Sequence, residues 1–396
     1  MISVQEAQKI VHRESRLLGT ENIALEAAIG RITAKALKAN SDIPPFDRSQ
    51  MDGYAVISSD TASSPVSLTI VGESSAGRGY SGRLRHGQAV RIMTGARVPE
   101  GADAVQQLEA TIETGGAVTI LQAVERGKFI VPRGAEAKRG RVCLAAGSVL
   151  TPWNIAIPAT FGLKTIEVSK RPRVAIIPTG SELVPIYRKP PKDKIRDSNS
   201  LVLAAFCKSI GALPNVLPIA SDDETALVAA IKTAAKSNDL IITTGGVSVG
   251  KYDRTRAAFE KSGAEIIFER IRIKPGKPVV FARKKNLLYF GLPGNPVSAA
   301  VTFFLLVRAA ILSMQGLKSA SPTPAFGSAA APFKATKERD GFLPAKARFT
   351  DKGIIAEPIK WKGSSDFISL AEANALVHVP AGKNINFGEK VEVIFL

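Results

Sequence analysis

The residues whose types and spacing can do chemistry lie in glycine-rich and proline-rich turns. The most organised run is Thr243-Thr244-Gly245-Gly246-Val247-Ser248-Val249-Gly250-Lys251-Tyr252-Asp253, which directly follows the apolar Leu240, Ile241 and Ile242. A strand running into such a loop suits an anion. Glycines let backbone N–H groups turn toward a phosphate, and a helix start beyond the loop adds a positive dipole end. Asp253 is placed to cap that helix, which would carry Ala257, Ala258 and Phe259. A second nest of backbone donors is expected at Gly291-Leu292-Pro293-Gly294-Asn295-Pro296, with Asn295 as cap and Pro296 in the first helical turn. The third turn, Ile273-Lys274-Pro275-Gly276-Lys277-Pro278, offers two lysines. Its prolines limit its freedom, so lysines there can meet a polyanion with little ordering cost.

Carboxylates accompany these turns. Asp47, Asp52, Glu182, Asp222, Asp223 and Asp253 sit in or beside loops. Helix capping is the plain reading of Asp222, Asp223 and Asp253, and a turn is the plain reading of Asp52 before Gly53. Several acids among phosphate-binding loops also suit a Mg²⁺-assisted phosphate reaction, because Mg²⁺ is typically held by one or two carboxylates plus substrate oxygens. His12, His86 and His378 are isolated, and no Ser-His-Asp or Cys-His arrangement is visible. Cys143 and Cys207 form no CxxC pair and are expected to be reduced core residues.

Composition narrows the class. A chain of 396 residues that is 45% hydrophobic can fill several cores, so several domains are expected. The net charge of +18 favours anionic partners. The basic clusters are short and are not interleaved with aromatics, so neither nucleic acid nor a membrane is expected as a partner. The longest apolar segment, 297–314, contains Arg308 and starts at a helix signal, which reads as a buried helix. Ser3 with Glu6 forms a capping box immediately after Met1, and no apolar signal region follows, so a cytoplasmic location is expected.

The elements that must position the turns read as four domains. Helical stretches at 3–16 and 25–29, with a return at 144–162 capped by Thr151, give a discontinuous helical platform of residues 1–42 and 140–168. Residues 41–56, with Pro44 and Pro45, read as a structured loop. Short runs at 66–71, 89–94, 104–109, 117–121 and 129–131 then give an inserted β domain of residues 43–139. Within it, Met93-Thr94-Gly95-Ala96 is a polar loop. From Arg173 onward, buried strands at 174–177, 216–219, 240–243, 266–268 and 287–290 alternate with helices, which gives a doubly wound α/β domain of residues 169–318. The polar turns then fall at strand carboxyl ends, where ligands of parallel sheets bind. A Ser/Pro/Ala-rich linker precedes strand-like runs at 345–349, 353–358, 375–380 and 391–396, read as a C-terminal β-barrel within 330–396.

Taken together, Pro45-Phe46-Asp47 with Met51-Asp52-Gly53-Tyr54-Ala55, Thr179-Gly180-Ser181-Glu182-Leu183, the 245–250 glycine loop, the 273–278 lysine turn and Gly291-Leu292-Pro293-Gly294-Asn295-Pro296-Val297-Ser298-Ala299 resemble the molybdopterin molybdenumtransferase family (MoeA and the gephyrin E-domain) in order and spacing. The resemblance implies a homodimer of four-domain subunits. The implied reaction inserts molybdate into adenylated molybdopterin, with Mg²⁺-dependent release of AMP, to give molybdenum cofactor. By the same match Gly245, Gly246, Ser248 and Gly250 would hold the pterin phosphate region, and Lys274, Lys277 and Arg270 would neutralise it. Pro293, Gly294, Asn295, Pro296 and Ser298 would shape the anion pocket. Asp52 and Thr94 would reach in from the partner subunit, and Glu182, Asp223 and Asp253 would handle metal, water or substrate polarity, the Mg²⁺ ligand among them being unassigned. Molybdopterin adenylyltransferase and molybdenum-enzyme chaperones are the implied partners. Arg48, Gln50, Lys251 and Gly134-Ala135-Glu136 depart from the family pattern, and the C-terminal match, with Arg339, Ser364 and Ser365, is loose. A non-catalytic molybdopterin-binding carrier or scaffold is the alternative, and an adenylyltransferase activity is argued against by the extra domains.

Overall fold

Alternate residues of the Arg173–Pro178 strand enter two different cores, which sets that strand inside a sheet covered on both faces. The computed structural model describes residues 1–221, 223–246, 254–318 and 320–396. It divides into two units, one of residues 1–35, 146–155 and 165–396, the other of residues 36–145 and 156–164.

The first unit is built on a six-stranded sheet in the order Leu213–Val216, Arg173–Pro178, Leu240–Thr244, Leu287–Leu292, Pro278–Lys284, Glu265–Arg270. The first four strands are parallel. Because side chains alternate along a strand, Val174, Ile176, Leu240, Ile242, Leu288 and Phe290 share one core with the helices Val4–Glu14, Asn199–Ser209 and Pro296–Met314. Ala175, Ile177, Ile241 and Tyr289 share the other with Glu224–Ala234 and Arg254–Lys261. This is the expected doubly wound arrangement. Pro296–Met314 is long and apolar enough to cross a membrane by length and composition, and it is the buried helix the sequence suggests.

Two strands depart from the expectation. Pro278–Lys284, read from sequence only as the end of a turn, is a full strand antiparallel to both Leu287–Leu292 and Glu265–Arg270. Only Lys285 and Asn286 separate it from Leu287, with Lys285 at φ 56°, and so short a link permits a hairpin but no crossover helix. The strand expected at 216–219 lies earlier, at Leu213–Val216.

The C-terminal strands close on themselves. Asp340–Thr350 pairs with both Gly353–Pro358 and Ala375–Val379, and Ala325–Ala329 and Lys390–Phe395 complete a five-stranded barrel around Phe333, Ala345, Ala356, Val377 and Val393. The first of these strands in the chain lies where the sequence suggested linker. Helical content ahead of the sheet is smaller than expected. Val4–Glu14 forms with Ser3 accepting from the Glu6 N–H, but residues 25–29 give only the 3₁₀ turn Leu25–Ala27. Thr20–Ala24 instead pairs antiparallel with Thr165–Ser169, so residues on either side of the insertion are joined. Thr151 and Asn154 cap each other, and the helix that follows is the short Ala156–Thr160.

The second unit holds a six-stranded sheet in the order Ala104–Gln107, Gly53–Val56, Gln88–Ile92, Val66–Ser74, Ala117–Ile120, Thr111–Thr114. Its faces carry separate cores, one around Tyr54, Leu68 and Val118 and one around Ala55, Val90 and Val105. Gly53–Val56 was expected as loop, because two prolines and a polar run precede it. Burial of Tyr54, Ala55 and Val56 on both faces makes it an inner strand. Cys143 is half-buried, whereas Cys207 is fully buried and burial pushes its thiol up to about 12.

Gly53 stands where a Cβ would lie 1.9 Å from the Gln106 carbonyl oxygen of the neighbouring strand. Gly53→Ala is therefore expected to destabilise the protein by about 1–3 kcal/mol, measured by urea unfolding. An unchanged midpoint would contradict this packing.

Candidate active site

Parallel strands deliver their carboxyl ends to one edge, and three predicted turns begin there: Thr179 after Arg173–Pro178, Gly245 after Leu240–Thr244 and Pro293 after Leu287–Leu292. A cleft of about 950 Å³ is lined by Glu182, Lys274, Lys277, Pro293, Gly294, Asn295, Pro296 and Ser298. Arg339, Ser364 and Ser365 line it as well. The lysine turn is held from both sides. Ile273–Lys274 pairs in parallel with Asp340 and Gly341 of the barrel, and the Ile2 carbonyl accepts from the Arg272 N–H at 2.8 Å. Lys274 is exposed and Lys277 half-buried, while Pro275 and Gly276 are buried, so the lysines stand on a fixed base.

The helix start opposite is tied to the barrel in an unexpected way. Asn295 precedes Pro296–Thr302 but makes no side-chain cap. Its Nδ2 donates to Ser364 Oγ at 2.9 Å instead, and the Val297 N–H donates to the Ser364 carbonyl at 3.0 Å. Ser364 thus takes up an otherwise unpaired donor of the first helical turn.

Gly245 sits at φ 99°, with a Cβ position 2.3 Å from the Thr179 carbonyl oxygen, so no side chain fits. Its N–H already donates to the Leu292 carbonyl at 3.1 Å, and its contribution is close approach to the Gly294 loop rather than a free donor. Gly246 lies with Thr179, Ser221, Asp223 and Arg254 around a small recess outside the cleft lining. Asp223 caps Glu224–Ala234, its Oδ2 accepting from the Ala226 N–H at 2.8 Å. Arg270 ends its strand and lies outside the cleft lining, its carbonyl accepting from the Ile2 N–H at 3.3 Å. Ser248, Gly250 and Asp253 fall outside the described residues.

The sequence reading missed Arg196, Asp197, Asn199 and Trp361, which also line the cleft. Asn199 opens the helix Asn199–Ser209. Its Nδ2 donates to Thr244 Oγ1 at 2.9 Å and to the Gly294 carbonyl at 2.7 Å, bridging two strand ends. Asp197 is buried, and its Oδ1 accepts from the Ser200 N–H at 3.1 Å.

Family models for the MoeA N-terminal region (domain I and II), the "Probable molybdopterin binding domain" and the MoeA C-terminal region (domain IV) match residues 2–162, 175–313 and 327–396. The chain belongs to the MoeA family. It is similar to the molybdopterin molybdenumtransferase of Bacillus subtilis, with 35% identity covering 100% of this chain and 94% of that one. The enzyme of the same name from Staphylococcus aureus shows 33% identity over 99% and 95%. Among solved structures, the molybdopterin biosynthesis moeA protein of Pyrococcus horikoshii OT3 superposes with a TM-score of 0.88 at 29% identity, covering 100% of both chains.

The second unit of this MoeA-family chain carries Asp52 and Thr94 together. Asp52 Oδ1 accepts from the Thr94 N–H at 2.7 Å and from its hydroxyl at 2.9 Å, and both residues are exposed. These bonds, the backbone one foremost, hold the Asp52 carboxyl below its ordinary 3.8. Two departures from the family pattern meet in this unit, since Arg48 Nη2 lies 2.6 Å from Glu136 Oε1. Glu136 is therefore a paired residue, and at its exposure the pair is worth about 0–1 kcal/mol.

Because the folded-state value is depressed, the Asp52 contact contributes above the ordinary carboxylate range and is lost as pH falls through the depressed value. Thr94→Ala removes the hydroxyl donor and keeps the N–H. The Asp52 titration followed by carboxyl NMR should then rise part of the way toward 3.8; no movement would exclude the hydroxyl as a cause.

Proposed function

We propose that the cleft inserts molybdate into adenylated molybdopterin, with Mg²⁺-dependent release of AMP, to give molybdenum cofactor. Family membership over the full chain, with relatives named molybdopterin molybdenumtransferase, makes the chain a transferase of molybdenum cofactor biosynthesis. The observation that carries the finer reading is the convergence of Lys274 and Lys277 with the start of Pro296–Thr302 on one cleft.

Molybdate and a pyrophosphate are both anions, so joining them requires their repulsion to be offset by placed cations and donors. Lys274 and Lys277 supply charge from a turn that does not need to order on binding. Pro293, Gly294 and the first turn of Pro296–Thr302 supply shape and a positive helix end. Asn199 keeps the Thr244 and Gly294 ends in register. No protein nucleophile is needed, because the dithiolene sulfurs belong to the substrate.

Among the described residues no three of His, Cys, Asp and Glu gather into a metal cage. Mg²⁺ is typically bound through substrate phosphates and one or two carboxylates. Glu182, exposed on the cleft wall, is the suited donor, since Asp197 and Asp223 are engaged in helix starts. Bound there, the ion would supply charge neutralisation at the departing phosphate. On the same reading the chain works in the cytoplasm as a homodimer, alongside molybdopterin adenylyltransferase and molybdenum-enzyme chaperones, with Asp52 and Thr94 acting from the second subunit.

Purified protein given adenylated molybdopterin, molybdate and Mg²⁺ should release AMP and yield active cofactor; release no faster than in a protein-free control would refute the reading. Lys277→Ala should raise KM for the adenylated substrate about tenfold to a hundredfold, the loss of one charge-assisted contact. Asp52→Ala should lower kcat with little change in unfolding midpoint. At adenylated substrate below the raised KM, mixing the impaired Asp52→Ala and Lys277→Ala proteins should give more activity than the two contribute separately if the residues meet across subunits, and no recovery would confine them to one chain.

A further inference from the structure

Away from the cleft, Asn199–Ser209, Pro296–Met314 and the segment 367–376 enclose a second cavity of about 720 Å³. Its walls are aromatic and aliphatic. Phe206 and Phe303 stack with ring centroids 5.3 Å apart, and Phe304, Phe367, Leu376 and Phe395 extend the apolar lining. One lining side chain is charged, that of Arg308. It is half-buried, with its guanidinium carbon 5.4 Å from the Phe304 ring centroid and Nη1 donating to the Ala320 carbonyl at 3.0 Å. Among the described residues no carboxylate pairs with it. Partial burial lowers its pKa from the ordinary value. The helix makes a π-helical turn at this place, Phe303–Val307, a distortion frequent at functional sites.

We infer that this cavity binds an apolar monocarboxylate, its hydrocarbon body against Phe206, Phe304 and Phe367 and its carboxylate on Arg308. The chemistry follows from the lining. A cavity of this volume falls in the range of small-molecule sites, about 300–1,000 Å³, which are mostly apolar with few placed polar groups. The guanidinium fork matches a carboxylate, and a lone cation among aromatics discriminates against neutral and cationic ligands.

Calorimetric titration of the full-length protein with decanoate and with decanol tests this. Decanoate should bind saturably and at least about tenfold tighter than decanol, and Arg308→Met should erase the difference while leaving decanol binding unchanged. Arg308→Lys should keep part of the preference. Saturating inorganic pyrophosphate, aimed at the lysine cleft, should leave decanoate binding as it was. Equal affinity for the two probes, a preference that survives Arg308→Met, or displacement by pyrophosphate would overturn the assignment. Should Arg308→Met fail to fold, the decanoate–decanol comparison and the pyrophosphate competition on the unaltered protein still decide it.

Discussion

Four parallel strands must end at one edge, and the chemistry of the first unit depends on that constraint. The edge collects three turns that lie far apart in sequence, after Pro178, Thr244 and Leu292. Hydrogen bonds then fix the turns against one another rather than against solvent. Asn199 bridges Thr244 and Gly294, and the Gly245 N–H closes on Leu292. What faces the cleft is therefore held before any ligand arrives, which lowers the ordering cost of binding a polyanion.

The barrel is part of this arrangement. Its Asp340 and Gly341 pair with the lysine turn, and its Ser364 serves the start of Pro296–Thr302. Each contact uses a backbone or short polar group, and neither leaves a signal in the sequence. The barrel's own strands were legible because Ala345, Ala347, Val377, Val391 and Val393 alternate inward. Its docking to the helix start was not, since a serine in a Gly-Ser-Ser loop looks like any other turn.

Long continuous apolar runs such as 174–177 and 240–242 were readable because burial on both faces requires them. Gly53–Val56 and Pro278–Lys284 were not. Each begins beside residues that usually break strands, and tertiary pairing overrides that local preference. Cleft residues on turns with two or more unusual residue types, such as Lys274 and Pro293, were found from sequence. Asn199 and Asp197 were hidden by the helix-start role they also fill. Arg48 and Glu136 looked like separate oddities until their contact explained each by the other.

The antiparallel pairing of Thr20–Ala24 with Thr165–Ser169 has a consequence for the order in which the chain acquires structure. During synthesis the first of these strands emerges long before the second, and the whole of residues 36–145 is made between them. The sheet of Gly53–Val56 and its neighbours draws only on that intervening stretch, so it can form while Thr20–Ala24 still has no partner. Closing a loop of that length adds little entropy per extra residue but slows the search. The helix Val4–Glu14, whose buried face waits for strands from Val174 onward, is then among the last elements to find its place although it is made well before those strands.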